Sequence, residues 1–264
     1  MVKLNRRITV TALVLTTMLV AAASASAADK YVALGDSYSS GTGTRTYFDS
    51  NCQKSYAAYP ELVAADRPNT ALTFSACSGA KTGDVLANQV QSVTSDTKFV
   101  TITIGGNDAG FSSVITECAK PGWASDCAGK VTTAQNYIRN TLPAQLHNVY
   151  AAIKTRAPSA KVIVLGYPRL FNGEDCNAAT WFSPDDENRL NATADLMAST
   201  TSTQVAAMGA NFVFKSSIPA FIGHAVCGSP EWLNGLSNPI GESYHPNTSG
   251  HKLGFEPLVR SVMG

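Results

Sequence analysis

Four short stretches of this 264-residue chain hold side chains suited to acyl transfer. Gly35-Asp36-Ser37-Tyr38-Ser39-Ser40-Gly41 directly follows the apolar run Tyr31-Val32-Ala33-Leu34. A serine at a strand-to-helix turn exposes its hydroxyl, and the start of the next helix favours an oxyanion. The stretch is not a G-x-S-x-G elbow, because Ser39 stands where that turn needs glycine. Asp36 or Ser37 would serve equally well as a helix cap. Gly105-Gly106-Asn107-Asp108 lets the backbone approach a ligand closely, and the Asn107 amide could donate to an oxyanion. A glycine-rich turn stiffened by Asn and Asp has the same composition. His245 lies in Ser243-Tyr244-His245-Pro246 and is one of four histidines, with His147, His224 and His251. A lone imidazole is more often structural, and only pairing with a nucleophile changes that. Glu242, three residues before His245, could orient the ring and set its tautomer. Cys77-Ser78-Gly79-Ala80 is the fourth stretch.

These stretches need a scaffold that brings them together. Short apolar runs read as buried strands: 31–34, 72–74, 99–104, 162–165 and 212–214. They lack polar alternation, which fits a parallel sheet covered on both faces. Helical stretches fall between them, at 55–66, 83–93, 133–156 with a break at Pro143, 185–208 and 247–262. The acidic run Asp185-Asp186-Glu187 suits a helix N-terminus. Strand–helix alternation of this kind predicts an α/β fold, a three-layer α/β/α sandwich on a mostly parallel five-stranded sheet. In such a sheet, ligands bind at the C-terminal ends of the strands, where the four stretches stand or can reach. Segments 107–132 and 167–184 read as loops holding cysteines.

Composition narrows the function classes. Apolar residues make up 44% and charged residues 15%, enough for a buried core and against a disordered chain. The formal net charge is +1 with no basic stripe, which argues against a nucleic-acid partner. Lys3, Arg6 and Arg7 precede an apolar run from about Ile8 to Ala23 that ends in Ala25-Ser26-Ala27. That is the pattern of an export signal over residues 1–27, with one domain over 28–264. The run is too short and too rich in Ala and Thr for a membrane span. Export makes disulfides the better reading of Cys52, Cys77, Cys118, Cys127, Cys176 and Cys227, since no C-x₂-C pair marks a zinc site. Six cysteines allow 15 pairings. Sequential pairing closes the shortest loops and is the expectation here.

Taken together, the four stretches resemble the SGNH, or GDSL-type, hydrolases, in the family's order and over the chain from Gly35 to His251. In detail the chain is similar to the secreted actinobacterial lipases, esterases and phospholipases of that family, which also carry six cysteines. The resemblance implies a flavodoxin-like fold, a nucleophile at Ser37 and a base at His245. It also implies an oxyanion hole from the Ser37 and Gly79 backbone N–H groups and the Asn107 amide. One position departs from the family pattern, because Glu242 stands where aspartate is usual. Either the Glu242 carboxylate or, as in family dyads, a main-chain carbonyl orients His245. Ser243 supplies the obvious carbonyl, and the dyad is preferred. The base is expected to titrate within about a unit of 6.5.

The resemblance makes this a secreted serine ester hydrolase with no metal or organic cofactor. Lipid esters are the favoured substrates, with transient contact at a lipid surface and a monomeric enzyme. Tyr38, Phe111, Trp181, Phe182, Phe221 and Trp232 could line an acyl groove, although at least half of them are expected to be core or loop anchors. A carbohydrate acetyl esterase is the alternative within enzymes. A non-catalytic secreted binding protein on the same fold is the alternative outside them.

Overall fold

The computed structural model describes residues 1–3 and 27–264. All but the ends of the expected export signal therefore lies outside the described residues. Five strands form one sheet: β1 (Asp29–Gly35), β2 (Thr70–Phe74), β3 (Thr97–Thr103), β4 (Lys161–Leu165) and β5 (Phe212–Lys215). All four pairings are parallel, and the strand order is β2-β1-β3-β4-β5. This is the flavodoxin-like order, in which the direction of winding reverses between β1 and β3.

The strands read as continuous apolar runs because both faces are covered. Tyr31 and Ala33 pack on one face and Val32 and Leu34 on the other, all fully buried. Helices α1 (Ser37–Ser40), α2 (Tyr59–Ala65), α3 (Thr82–Asp84), α4 (Phe111–Cys118), α5 (Cys127–Asn140), α6 (Leu142–Arg156), α7 (Pro184–Ala206) and α8 (Glu256–Met263) complete the layers. Tyr59 and Val63 of α2 and Val259 and Met263 of α8 cover the first face. Leu142, Leu146, Val149 and Ile153 of α6 cover the second, with Val85 and Val90. A π turn at Val85–Gln89 and a 3-10 turn at Val90–Ser92 extend α3, and a π turn at Gly250–Phe255 precedes α8.

The expected helix over 133–156 is divided at Thr141, and Pro143 sits in the first turn of α6, where its missing N–H costs nothing. The N-terminus of α7 is a capping box: the Ser183 hydroxyl accepts from the Asp186 N–H while Asp186 accepts from Ser183. Segment 107–132 departs from the loop expectation, since it contains α4 and the start of α5. The signal was present in the apolar spacing of Phe111, Val114, Ile115 and Cys118, which marks one helical face.

The six cysteines pair sequentially, Cys52–Cys77, Cys118–Cys127 and Cys176–Cys227, and no cysteine is free among the described residues. The first bridge ties the segment after α1 to the end of β2. Its sequence separation is 25 and that of Cys176–Cys227 is 51. Loop-closure entropy assigns bridges of these spans about 3 to 4 kcal/mol each. Reduction is therefore expected to lower the denaturation midpoint substantially, and thiol titration before reduction should find no reactive cysteine. A free, alkylatable Cys52 or Cys77 in native protein would contradict the pairing.

Candidate active site

The site forms where three neighbouring strands end. Gly35 closes β1 in a left-handed conformation, with φ of +123°. A side chain there would collide with the Thr103 carbonyl of β3 and the Ser39 hydroxyl, so only glycine permits this tight exit. Asp36 caps α1 by accepting from the Tyr38 N–H at 3.0 Å. That turn leaves Ser37 at the first helical position with 7% of its surface exposed.

His245 reaches Ser37 from the other end of the chain. Its Nε2 accepts from the Ser37 hydroxyl at 2.8 Å, and its Nδ1–H donates to the Ser243 carbonyl at 2.9 Å. The second bond selects the tautomer in which Nε2 is free to take a proton. The imidazole is 8% exposed, and burial pushes its pKa down from 6.5 to about 4, the Ser243 carbonyl offsetting a part. This departs from the sequence-based value near 6.5. Type and spacing do not report how deeply a ring is buried.

The Glu242 carboxylate makes no hydrogen bond to the ring. Its carboxylate is 2% exposed and turns the other way, where Oε1 accepts from the Tyr47 hydroxyl at 2.7 Å and Oε2 faces Arg45 Nε at 3.7 Å. The physical reason lies in the backbone. Ile240–Glu242 is a 3-10 turn, and the chain then extends through Ser243 and takes a left-handed step at Tyr244, with φ of 60°. The Ser243 carbonyl meets the ring instead. Tyr38 donates to the Tyr244 carbonyl at 2.6 Å, while Asn234 exchanges backbone bonds with Tyr244 and His245. The Asn234 amide also donates to the Gly43 carbonyl at 2.8 Å. Gly43 packs directly on the histidine, since a side chain there would stand 2.9 Å from His245 Cβ and 2.6 Å from the Pro246 carbonyl.

The other expected donors occupy the neighbouring strand ends. Gly79 follows β2, whose end is held to β1 by the Cys77 N–H donating to the Gly35 carbonyl at 3.0 Å. Among the described residues the Gly79 N–H meets no acceptor. Asn107 follows β3 and gives one amide hydrogen to the Ala80 carbonyl at 3.0 Å, which leaves the second for a ligand. Asp108 accepts from the Thr82 N–H and hydroxyl, so the loops after β2 and β3 are bonded to each other.

Tyr167 was not among the candidate residues. Its hydroxyl donates to Asp36 and accepts from the Gly106 N–H at 3.0 Å, joining the nucleophile turn to the Asn107 loop. Burial raises the Asp36 carboxyl to about 7. Tyr167 lies just past the end of β4, so the strand-end rule that marks the other loops would have found it. Asn234 and Tyr47 stand in loops without a periodic or motif signal.

Beside the pair lies an apolar cavity that opens to solvent. Tyr38, Phe111, Tyr167, Leu170, Leu190 and Met197 are among its walls. Phe111 stands edge-on to the His245 ring at 6.2 Å, so the cavity adjoins the base. Of the six aromatics expected in an acyl groove, only Tyr38 and Phe111 line it. Phe182 and Phe221 are core, Trp232 stacks on His224, and Trp181 is 54% exposed. Among the other histidines, His147 is exposed and His251 is fully buried, with Nδ1 accepting from the Tyr59 N–H. No three His, Cys, Asp or Glu side chains gather into a cation site among the described residues.

Residues 33–253 match the model of the GDSL-like lipase/acylhydrolase family. The chain is 44% identical to a lipase of Streptomyces rimosus, over 98% of this chain and 99% of that protein. A crystal structure of an extracellular lipase from that organism superposes with a TM-score of 0.82 at 44% identity, over 89% of this chain and 99% of the other. A phospholipase A1 from Streptomyces albidoflavus superposes with a TM-score of 0.83 at 40% identity, over the same shares.

Proposed function

We propose, for a chain that belongs to the GDSL-like lipase/acylhydrolase family, that it hydrolyses lipid carboxylic esters through an acyl-enzyme on Ser37. The observation that carries the reading is the Ser37 hydroxyl 2.8 Å from a neutral, oriented imidazole, with Tyr38 and Phe111, which pack near that ring, lining an apolar cavity. His245 takes the hydroxyl proton as Ser37 attacks the ester carbonyl. The Ser37 and Gly79 N–H groups and the free Asn107 amide hydrogen stabilise the tetrahedral oxyanion. His245 then protonates the leaving alcohol, and a water activated by the same ring releases the acid. The Ser243 carbonyl holds the ring, which makes the machinery a dyad. No metal or organic cofactor takes part in these steps.

The cavity supports an acyl chain rather than a sugar as its occupant, because its walls are almost wholly apolar. The names of the two Streptomyces relatives, a lipase and a phospholipase A1, support the same substrate class. Residues 1–27 act as an export signal, leaving one domain over 28–264 that works outside the cell as a monomer. The three disulfides support an oxidising destination.

A substrate panel tests the reading. Triacylglycerol and phosphatidylcholine are expected to turn over, p-nitrophenyl esters to gain in kcat/KM with acyl length up to the capacity of the cavity, and acetylated xylan to be poor. Preference for acetylated xylan over every lipid would replace this reading by the carbohydrate-esterase one.

A further inference from the structure

We propose that Arg45 binds a phosphate on the alcohol side of the scissile ester, and so favours phospholipids over neutral acylglycerols. The inference rests on the ester-hydrolase reading above and concerns the half of the substrate that the apolar cavity does not hold.

The leaving oxygen must lie against His245 Nε2 to receive its proton, so the alcohol departs past the elements packed around that ring. The apolar cavity takes one side, lined from α4, α5, α7 and the loop after β4. The segment after α1 takes the other, tied by Cys52–Cys77 to the end of β2 at the opposite edge of the sheet. Gly43 packs on His245 itself, and Arg45 follows two residues later.

Arg45 faces a buried carboxylate. Glu242, three residues before the base, is buried, and its Oε2 has no hydrogen-bond partner. The Arg45 Nε at 3.7 Å is the cation facing that oxygen. A buried carboxylate strongly favours such a counter-charge. The backbone of Arg45 takes the left-handed conformation, with φ of 65°, which costs a residue with a Cβ energy that the local contacts must offset. Arg45 and Tyr244 stand on the two loops that meet at the dyad, and they are two of four such non-glycine residues in the described chain.

The Nε edge of the guanidinium thus faces Glu242 at ion-pair distance, without a hydrogen bond. The Arg45 side chain is 61% exposed, and its two terminal nitrogens donate to nothing among the described residues. That edge presents paired N–H donors in the geometry that fits two phosphate oxygens. The remaining charges of the segment do not compete, because Asp49 and Lys54 neutralise each other at 3.2 Å. A glycerophospholipid carries its phosphate a few bonds from the scissile oxygen, and Arg45 stands two residues from the glycine that packs on His245.

Monomeric short-chain substrates test this without a charged bulk surface. kcat and KM are measured on dibutanoylphosphatidylcholine and on dibutanoylglycerol for wild type, Arg45→Ala, Arg45→Gln and Arg45→Lys. Arg45→Ala and Arg45→Gln are expected to lower kcat/KM on the phospholipid by about tenfold or more, mainly through KM, with less than a twofold change on the neutral ester. Arg45→Lys should recover part of the loss, since it keeps the charge and loses the fork. Ser37 labelling by a fluorophosphonate should proceed at the same rate in all four proteins. Equal losses on both substrates would make Arg45 only a clasp for Glu242 and overturn the proposal, and so would an unchanged phospholipid KM. Failure of wild type to hydrolyse either ester would instead remove the ester-hydrolase reading beneath it.

Discussion

Ser37→Ala is expected to abolish ester hydrolysis, lowering kcat by on the order of 10⁴-fold or more while the protein stays folded. The size follows from the mechanism, because removing the nucleophile leaves only binding and the oxyanion donors to act on water. Stability should change little, since the Ser37 side chain bonds only to the His245 ring. A fluorophosphonate should label Ser37 and no other serine. The nearby alternatives lack a base. Ser78 bonds to Gln53 and Thr42, and the Ser243 hydroxyl accepts from the Ser237 N–H. Labelling at Ser78 or Ser243, or a Ser37→Ala protein that retains more than a few per cent of activity, would remove the assignment.

The second large effect is in the pH profile. His245 must be neutral to act as base, and burial lowers its pKa to about 4. kcat/KM on a soluble p-nitrophenyl ester should therefore hold down to pH 5 and fall below it. An imidazole titrating at 6.5 would be only about 3% neutral at pH 5, so the profile differs from that of an ordinary histidine by about thirtyfold there. The Glu242→Gln profile should overlay that of wild type. Its kcat/KM should fall less than about tenfold, under roughly 1.4 kcal/mol, because the Ser243 carbonyl is unchanged by the substitution. A midpoint near 6.5, or a thousandfold loss in folded Glu242→Gln, would make the carboxylate the third member of a triad. Acid also acts on stability, with a definite sign. His245 and His251 are both buried neutral, with values of about 4 and about 3. Between pH 6.5 and those values the unfolded chain binds more protons, so stability declines as pH falls. Circular dichroism at each pH separates loss of fold from loss of base.

The sequence by itself determined the frame. Continuous apolar runs such as Val162 to Leu165 have no polar face, which fits a sheet covered on both sides, and parallel strands require crossover helices. The strand-end rule put the stretches that hold Ser37, Gly79 and Asn107 within reach of one end of the sheet, and the family resemblance singled out those residues. The sequential disulfide pairing was one of 15 open to the sequence, expected for its short loops, and it is the one the fold contains. What the sequence left open was direction. Glu242 and the Ser243 carbonyl are both near His245 in the chain, and which faces Nδ1 depends on a left-handed step at Tyr244 held by Tyr38 and Asn234 from distant segments. The same holds for the acyl cavity: aromatic type marks six candidates, and packing assigns Phe182 and Phe221 to the core while Phe111 lines the wall. The depressed base depends on burial, a property of everything folded around the ring. Local pattern dictates which elements form, because backbone hydrogen bonding and apolar periodicity are short-ranged. The aim of a side chain and the charge it can bear are set by contacts between residues some two hundred positions apart, and only the folded chain brings those together.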